Sequence, residues 1–202
     1  MCLKIIQRFP LRELAQYIKN HVPGVGDELL PDIEENFRIR FLGKGEHLIR
    51  EGEVCKNVYF VKKGFLRNYV LKDGKDNTVW FFFPSDFLTV FDSLQLKSPG
   101  RENTEALSDS ELYWISLENL EALNLKSHTW ERISRLFTIQ FALQQQARLF
   151  MFQTMNAEEK YEYLCENFPK IIQYIPNQYI ASYLGITRET LSRIRSRRKD
   201  RR

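Results

Sequence analysis

The strongest constraint on the fold is a change of period at Ser116. Between Phe37 and Ser116 the chain reads as short β-branched and aromatic runs, FRIRFL, EHLIR, NVYFVKKG, FLRNYVLKDGKDNTVWFFF and ELYWIS. The turn signals Gly43-Lys44-Gly45, Lys63-Gly64 and Asp73-Gly74 separate them. Runs of this kind, punctuated by glycine, predict antiparallel strands closed into a small barrel or jelly roll. The aromatic block Trp80 to Phe83 is expected to face its core, with a ligand-lining role as the second reading. Leu117 to Met155, by contrast, contains no Gly or Pro and predicts helix. Ahead of the strands, Pro10 opens a helix with Leu11, Leu14, Ala15 and Ile18 on one stripe, ended by Pro23 to Gly26. A second short helix runs through Leu29, Leu30 and Ile33.

From Trp130 onward, Ile133, Phe137, Gln140, Gln144, Ala147, Met151 and Thr154 follow alternating steps of four and three, beside a second apolar line of Leu136, Leu143 and Phe150. A stripe that wide has two partners to satisfy, most simply the barrel and a second copy of the same helix, which predicts a homodimer. The competing reading is a helix buried within one subunit, and Gln140 and Gln144 in the seam keep it open. After Asn156, NAEEKYEYLCENFP reads as a capped helix stopped by Pro169.

Charge is concentrated at the end of the chain. The net charge of +4 over 202 residues hides a local +6 within residues 188–202, where eight basic residues face Glu189 and Asp200. A terminus of this kind points at something anionic, nucleic acid or a membrane surface, or is a solvated tail. Cys2, Cys55 and Cys165 are far apart and lack C-x-x-C spacing, which excludes a zinc ribbon or disulfide framework and fits a reducing cytoplasm. Lys4, Gln7 and Arg8 interrupt the N-terminal apolar stretch, so no signal peptide is expected, and no apolar run is long enough to span a membrane.

The segment NQYIASYLGITRETLSRIR carries the functional signal. Taken as two helices, it places Ile180, Leu184, Ile186, Leu191 and Ile194 in a small shared core. Ala181 is small where the second helix crosses, Gly185 permits the turn and Thr187 caps the second helix. At about 100° per residue, with Arg188 at zero, Ser192, Ser196, Glu189 and Arg193 fall between ~40° and ~140°, while Ile194 and Leu191 lie near ~240° and ~300°. Arg188, Glu189, Ser192 and Arg193 are therefore candidate base-reading residues. An arginine grips guanine bidentately and a glutamate accepts from cytosine N4. Thr187, Arg195, Arg197 and Arg198 flank them as candidate phosphate contacts. The competing reading is an amphipathic surface helix with no ligand.

Strands, a long helix and a terminal helix-turn-helix containing Thr187-Arg188-Glu189-Thr190-Leu191-Ser192-Arg193 resemble the Crp/Fnr family of bacterial transcription regulators over nearly the whole chain. The resemblance implies an α+β architecture. Residues 1–116 would form a double-stranded β-helix, or jelly roll, of the cyclic-nucleotide-binding type. Residues 117–155 would be the connecting and dimerisation helix, and residues 156–202 a winged-helix-like helix-turn-helix domain. It also makes Arg188, Glu189 and Arg193, which match the Arg-Glu-x-x-x-Arg of the cAMP receptor branch, readers of bases. Implied partners are double-stranded DNA with a pseudo-palindromic site, a second copy of the chain and RNA polymerase.

Three departures qualify the resemblance. Cyclic-nucleotide binders hold the ribose and phosphate with a Gly-Glu pair and an Arg-Ser or Arg-Thr pair. Here the corresponding stretches read Pro84-Ser85-Asp86-Phe87 and Ser98-Pro99-Gly100-Arg101-Glu102-Asn103, with Arg101 displaced by one position. Ser85, Asp86, Phe87 and Arg101 are the candidate effector pocket, but no cAMP is expected there, because a one-residue shift reverses a strand side chain. No cysteine cluster or haem-ligand signature accompanies them, so no cofactor is expected, and His21, His47 and His128 read as surface or structural residues. Only KIIQYIP ahead of the motif is available as a remnant of the family's wing. An effector-independent or nonspecific nucleic-acid binder is the alternative function. A cupin-type enzyme is a weaker one, since His47 is the only histidine of the barrel region and no metal site or catalytic residue stands out.

Overall fold

A computed structural model describes residues 11–200, apart from the side chains of Lys199 and Asp200. Cys2, Pro10, Arg201 and Arg202 lie outside the described residues. Helix α1 (Arg12–His21), a 3-10 turn (Asp27–Leu29) and α2 (Leu30–Asn36) precede the strands. Leu11, Leu14, Ala15, Ile18, Leu29 and Ile33 are buried, as the 3.6-residue spacing of the sequence requires.

Eight strands follow. These are β1 (Arg38–Leu42), β2 (His47–Ile49), β3 (Asn57–Lys63), β4 (Leu66–Lys72), β5 (Lys75–Phe82), β6 (Phe87–Leu88), β7 (Asn103–Ala106) and β8 (Ser110–Ser116), with α3 (Phe91–Leu96) between β6 and β7. They form two four-stranded sheets, β1-β8-β3-β6 and β2-β7-β4-β5, with every pairing antiparallel. Hairpin β4–β5 turns at Asp73 and Gly74, both at positive φ (53° and 72°), the conformation a two-residue turn needs to match strand twist.

Three apolar clusters organise the molecule. The first lies outside the β1-β8-β3 surface, where α1 and α2 cover Phe60, Tyr113 and Ile115. The second fills the sandwich, with Leu48, Val61, Leu66, Phe82, Leu88 and Leu112. The third joins strand β5 to the C-terminal helices, through Phe81 and Phe83 on one side and Tyr183, Leu164 and Ile180 on the other. The block Trp80 to Phe83 is thus divided between two clusters, and Trp80 is partly buried against both. Phe82 enters the sandwich, whereas Phe81 and Phe83 are buried under helices.

The Gly- and Pro-free stretch 117–155 is not one helix. It divides into α4 (Leu117–Lys126) and α5 (His128–Thr154) at Ser127, which is extended (φ −143°, ψ 118°). The two helices fold back on each other, with Ser134 Oγ 2.9 Å from Asn124 Oδ1. That reversal lets Leu123, Trp130 and Ile133 enter one cluster, and Trp130 donates its indole N–H to Asp32 at 2.7 Å. Beyond α5 come α6 (Ala157–Asn167), α7 (Pro169–Tyr174), α8 (Asn177–Leu184) and α9 (Arg188–Asp200). Asn156 and Glu159 form a reciprocal capping box at the start of α6. The KIIQYIP segment proposed as a wing remnant is helical in α7, because Pro169 at its first position favours a helix start and Ile171 anchors it in the third cluster.

Candidate nucleic-acid interface

Helices α8 and α9 meet around Ile180, Ala181, Leu184, Leu191 and Ile194, all buried. Gly185 sits at φ 70°, ψ 31°. Its N–H donates to Ser182 O (3.1 Å) and that of Ile186 to Ala181 O (3.0 Å), the paired bonds that close a helix on a left-handed glycine. Thr187 then accepts from the Thr190 N–H at 3.2 Å and caps α9. A two-helix unit with a fixed crossing angle follows from these contacts.

The side chains on the outer face are exposed: Arg188, Glu189, Ser192, Arg193, Ser196 and Arg197. Arg188 donates to Gln178 Oε1 at 2.8 Å, which orients its guanidinium from the start of α8. The Glu189 carboxylate is held below its ordinary range, first by its own backbone N–H at the helix start, then by the Thr187 hydroxyl and the charges of Arg188 and Arg193. It is an acceptor at neutral pH. A groove of about 220 Å³ runs between the helices, bordered by Asn177, Arg188, Ser192, Arg195 and Ser196.

The flanking residues take different roles. Arg195 is half-buried and donates to Asn177 Oδ1, so it ties α9 to the start of α8. Arg198 rests 6.0 Å from the Tyr161 ring centroid, and Arg197 is exposed on α9. Residues Asn177 and Gln178, which hold two of these arginines, escape the sequence reading because their amides carry no charge signal.

Ser85, Asp86, Phe87 and Arg101 are not brought together. Ser85 is exposed in a turn at φ 82°. Asp86 accepts the Phe83 N–H at 2.8 Å. Burial pushes its carboxyl up to about 6, against the opposing pull of that N–H and of Lys170. Phe87 packs on Phe137 (4.3 Å between centroids) and Phe60 (5.1 Å). Arg101 points to solvent with its side chain 86% exposed, 3.4 Å from Asp92. The displacement by one position read in the sequence has its consequence here: Glu102, not Arg101, turns inward and accepts from Asn68 at 2.7 Å, while Asn68 accepts from Thr104 at 2.7 Å. Burial, offset in part by Asn68, raises the Glu102 carboxyl.

His21 stacks on Tyr17 at 4.0 Å, and His47 lies 2.8 Å from the Tyr69 hydroxyl, both in structural contacts. Among the described residues no group of three or more His, Cys, Asp or Glu side chains is placed to hold a metal. No helix among them is long and apolar enough to cross a membrane.

Comparison with known proteins agrees with this architecture. A model of the cyclic nucleotide-binding domain matches residues 39–126. The transcriptional activator protein Anr of Pseudomonas protegens is 27% identical over 173 residues, covering 79% of this chain and 70% of Anr. The chain spans about two thirds of the length of the curated relatives it matches, from 66% to 70% in the first two. Among solved structures, FixK2 from Bradyrhizobium japonicum superposes with a TM-score of 0.70 at 22% identity, covering 82% of this chain and 85% of FixK2. A transcriptional regulator of the crp/fnr family from Eubacterium rectale does so with 0.63 at 20%, covering 93% and 85%. In sequence the chain is thus similar to regulators such as Anr, and in fold to FixK2 and the crp/fnr-family protein of Eubacterium rectale.

Proposed function

We propose that the chain is a homodimeric, sequence-specific DNA-binding regulator of transcription, with α9 as the recognition helix. One observation carries this reading. Arg188, Glu189, Ser192 and Arg193 stand in solvent on the face of α9 opposite to Leu191 and Ile194, which pin the helix from beneath. That face offers the donors and acceptor that read base edges in a major groove, while Thr187, Arg195, Arg197 and Arg198 lie where phosphates pass.

An exposed apolar line on α5 supports the dimer. Leu143 and Phe150 are each 60% exposed and Ile139 is 46% exposed, at a spacing that places all three on one helix face. Two copies joined there present two recognition helices to successive major grooves about 34 Å apart, on a pseudo-palindromic site. Such a regulator acts in the cytoplasm alongside RNA polymerase. The jelly roll is the sensing half. With Glu102 rather than a guanidinium on its inward side, it is ill suited to a cyclic phosphate. Relatives such as Anr are transcription regulators, which supports this reading over a cupin-type enzyme.

Fluorescence anisotropy with a selected duplex and a scrambled one, across a salt series, tests the proposal. Sequence-specific binding separates the two curves at every salt concentration. Coincident curves with the same salt slope identify a nonspecific electrostatic clamp instead.

A further inference from the structure

Strand β5, helix α5 and the C-terminal helices border a half-open cavity of about 280 Å³ outside the sandwich interior. Its walls include Trp80 from β5, Arg148 and Met151 from α5, Tyr163 from α6, Phe168 and, from α8, Tyr183. The aromatic rings brace one another edge to face, with Trp80 5.7 Å from Phe168 and 6.0 Å from Tyr183. Gln140, Leu143, Gln144 and Ala147 complete the wall on the side of α5 that carries the proposed dimer face, and Arg148 supplies its charged group, 5.8 Å from the Tyr183 ring and 5.6 Å from that of Phe152.

The bonding of Arg148 is incomplete. The guanidinium bonds to the Tyr183 hydroxyl, but its Nε is buried and has no hydrogen-bond partner, and among the described residues it joins no ion pair. Glu102 feels its charge but is committed to Asn68. Arg67 shows how the same chain satisfies a buried guanidinium when no ligand is involved: Asp76 at 2.5 Å, Glu105 at 2.7 Å and Thr78 at 3.1 Å surround it. A buried donor left unpaired is costly, and more so when it belongs to a cation. Lys160, 5.0 Å from the Phe152 ring centroid, adds positive charge nearby. Burial pushes the Tyr183 hydroxyl up to about 12, against the opposing influence of Arg148, so that it keeps its proton and can donate.

We propose that this cavity binds a small aromatic monocarboxylate, with the carboxylate on Arg148 and the Tyr183 hydroxyl and the ring among Trp80, Tyr163 and Phe168. One guanidinium with a free N–H matches one carboxylate. A volume near the lower end of ligand pockets, about 300 Å³ and upward, fits one or two fused rings. The walls come from the sandwich, from α5 and from the helices that carry α9, so a bound acid touches both ends of the molecule. Its meaning as an effector rests on the proposed DNA-binding function; the binding site itself does not.

Titration of the full chain with 2-naphthoate, without DNA, tests the site by calorimetry and by tryptophan fluorescence. Saturable binding is expected, weakened at least about tenfold for the neutral 2-naphthamide and for Arg148→Met. Ala147→Trp, at the cavity wall, blocks it in a chain whose Arg148 is intact. Absence of saturable naphthoate binding, or equal binding to the parent and both variants, overturns the proposal. A chain that takes up naphthoate but shows no DNA sequence preference sinks the regulator reading alone, and one that selects DNA but ignores naphthoate sinks the site alone.

Discussion

Tyr179 of α8 lies over Arg67 of β4, with the guanidinium carbon 3.8 Å from the ring centroid. Tyr69 adds a second ring contact to the same guanidinium at 4.4 Å, and Ser182, one turn along α8, accepts the Thr78 N–H at 2.9 Å and donates to Asp76 O at 3.0 Å. The first helix of the helix-turn-helix is thereby docked on the β4–β5 hairpin. A cation–π contact of a desolvated arginine contributes about 1–2 kcal/mol. Tyr179→Ala is therefore expected to lower the unfolding midpoint by that equivalent and to raise amide exchange within Asn177–Leu184, while Tyr179→Phe preserves both. Exchange unchanged by Tyr179→Ala would contradict the docking role.

The Asp86 carboxyl links stability to pH. Its folded value of about 6 lies above its ordinary 3.8, so the protonated form is favoured in the folded chain. The contribution is fully present below pH 3.8 and is lost as pH rises through about 6. Lys170 and the Tyr17 hydroxyl are the groups that sense it. Asp86→Asn, which keeps an acceptor for the Phe83 N–H, should flatten the stability profile across that window and leave the variant more stable than the parent at pH 7. An unaltered profile in chemical denaturation would show that another group dominates.

Self-association is expected to depend on the exposed line of α5. Leu143→Glu combined with Phe150→Glu places charges at the centre of the proposed interface and should convert the protein to monomers in sedimentation. Binding to a two-half-site duplex should fall by well over tenfold, with the fold of each monomer preserved because both side chains are 60% exposed. A dimer that survives both substitutions would move the interface elsewhere.

Gly185→Ala isolates a backbone effect. The added Cβ would meet nothing within 4 Å, so its cost arises from holding alanine at φ 70°. That cost is about 1 kcal/mol, readable in denaturant unfolding. A much larger loss would mean that the turn repacks.

Much of this architecture is legible in the residues, and the exceptions have physical causes. The helix-turn-helix is legible because Leu184, Leu191 and Ile194 keep the 3.6-residue spacing around a left-handed glycine and a threonine cap. Hairpin β4–β5 is legible from Asp73-Gly74. Strand β7 escapes because Asn103, Thr104 and Glu105 show no apolar alternation, and β6 because it is two residues long. The break at Ser127 carries a serine as its only local mark, and the packing of Leu123 and Trp130 decides it. The docking of α8 on β5 joins residues about a hundred positions apart, Thr78 and Ser182, which no local pattern encodes. Ser85, Asp86, Phe87 and Arg101 look like a pocket by analogy in sequence, but in the segment ahead of β7 Arg101 points outward and Glu102 inward.

Selection of bound duplexes from a random DNA pool by the full chain, repeated with Arg193→Ala, tests the central claim that the outer face of α9 reads bases. An enriched two-fold-symmetric motif with half-sites about one helical turn apart is expected. Arg193→Ala should relax one base position symmetrically in each half-site, at a cost of about 1–3 kcal/mol on the preferred site. A pool with no enriched motif, or the same motif and affinity with Arg193→Ala, would contradict it.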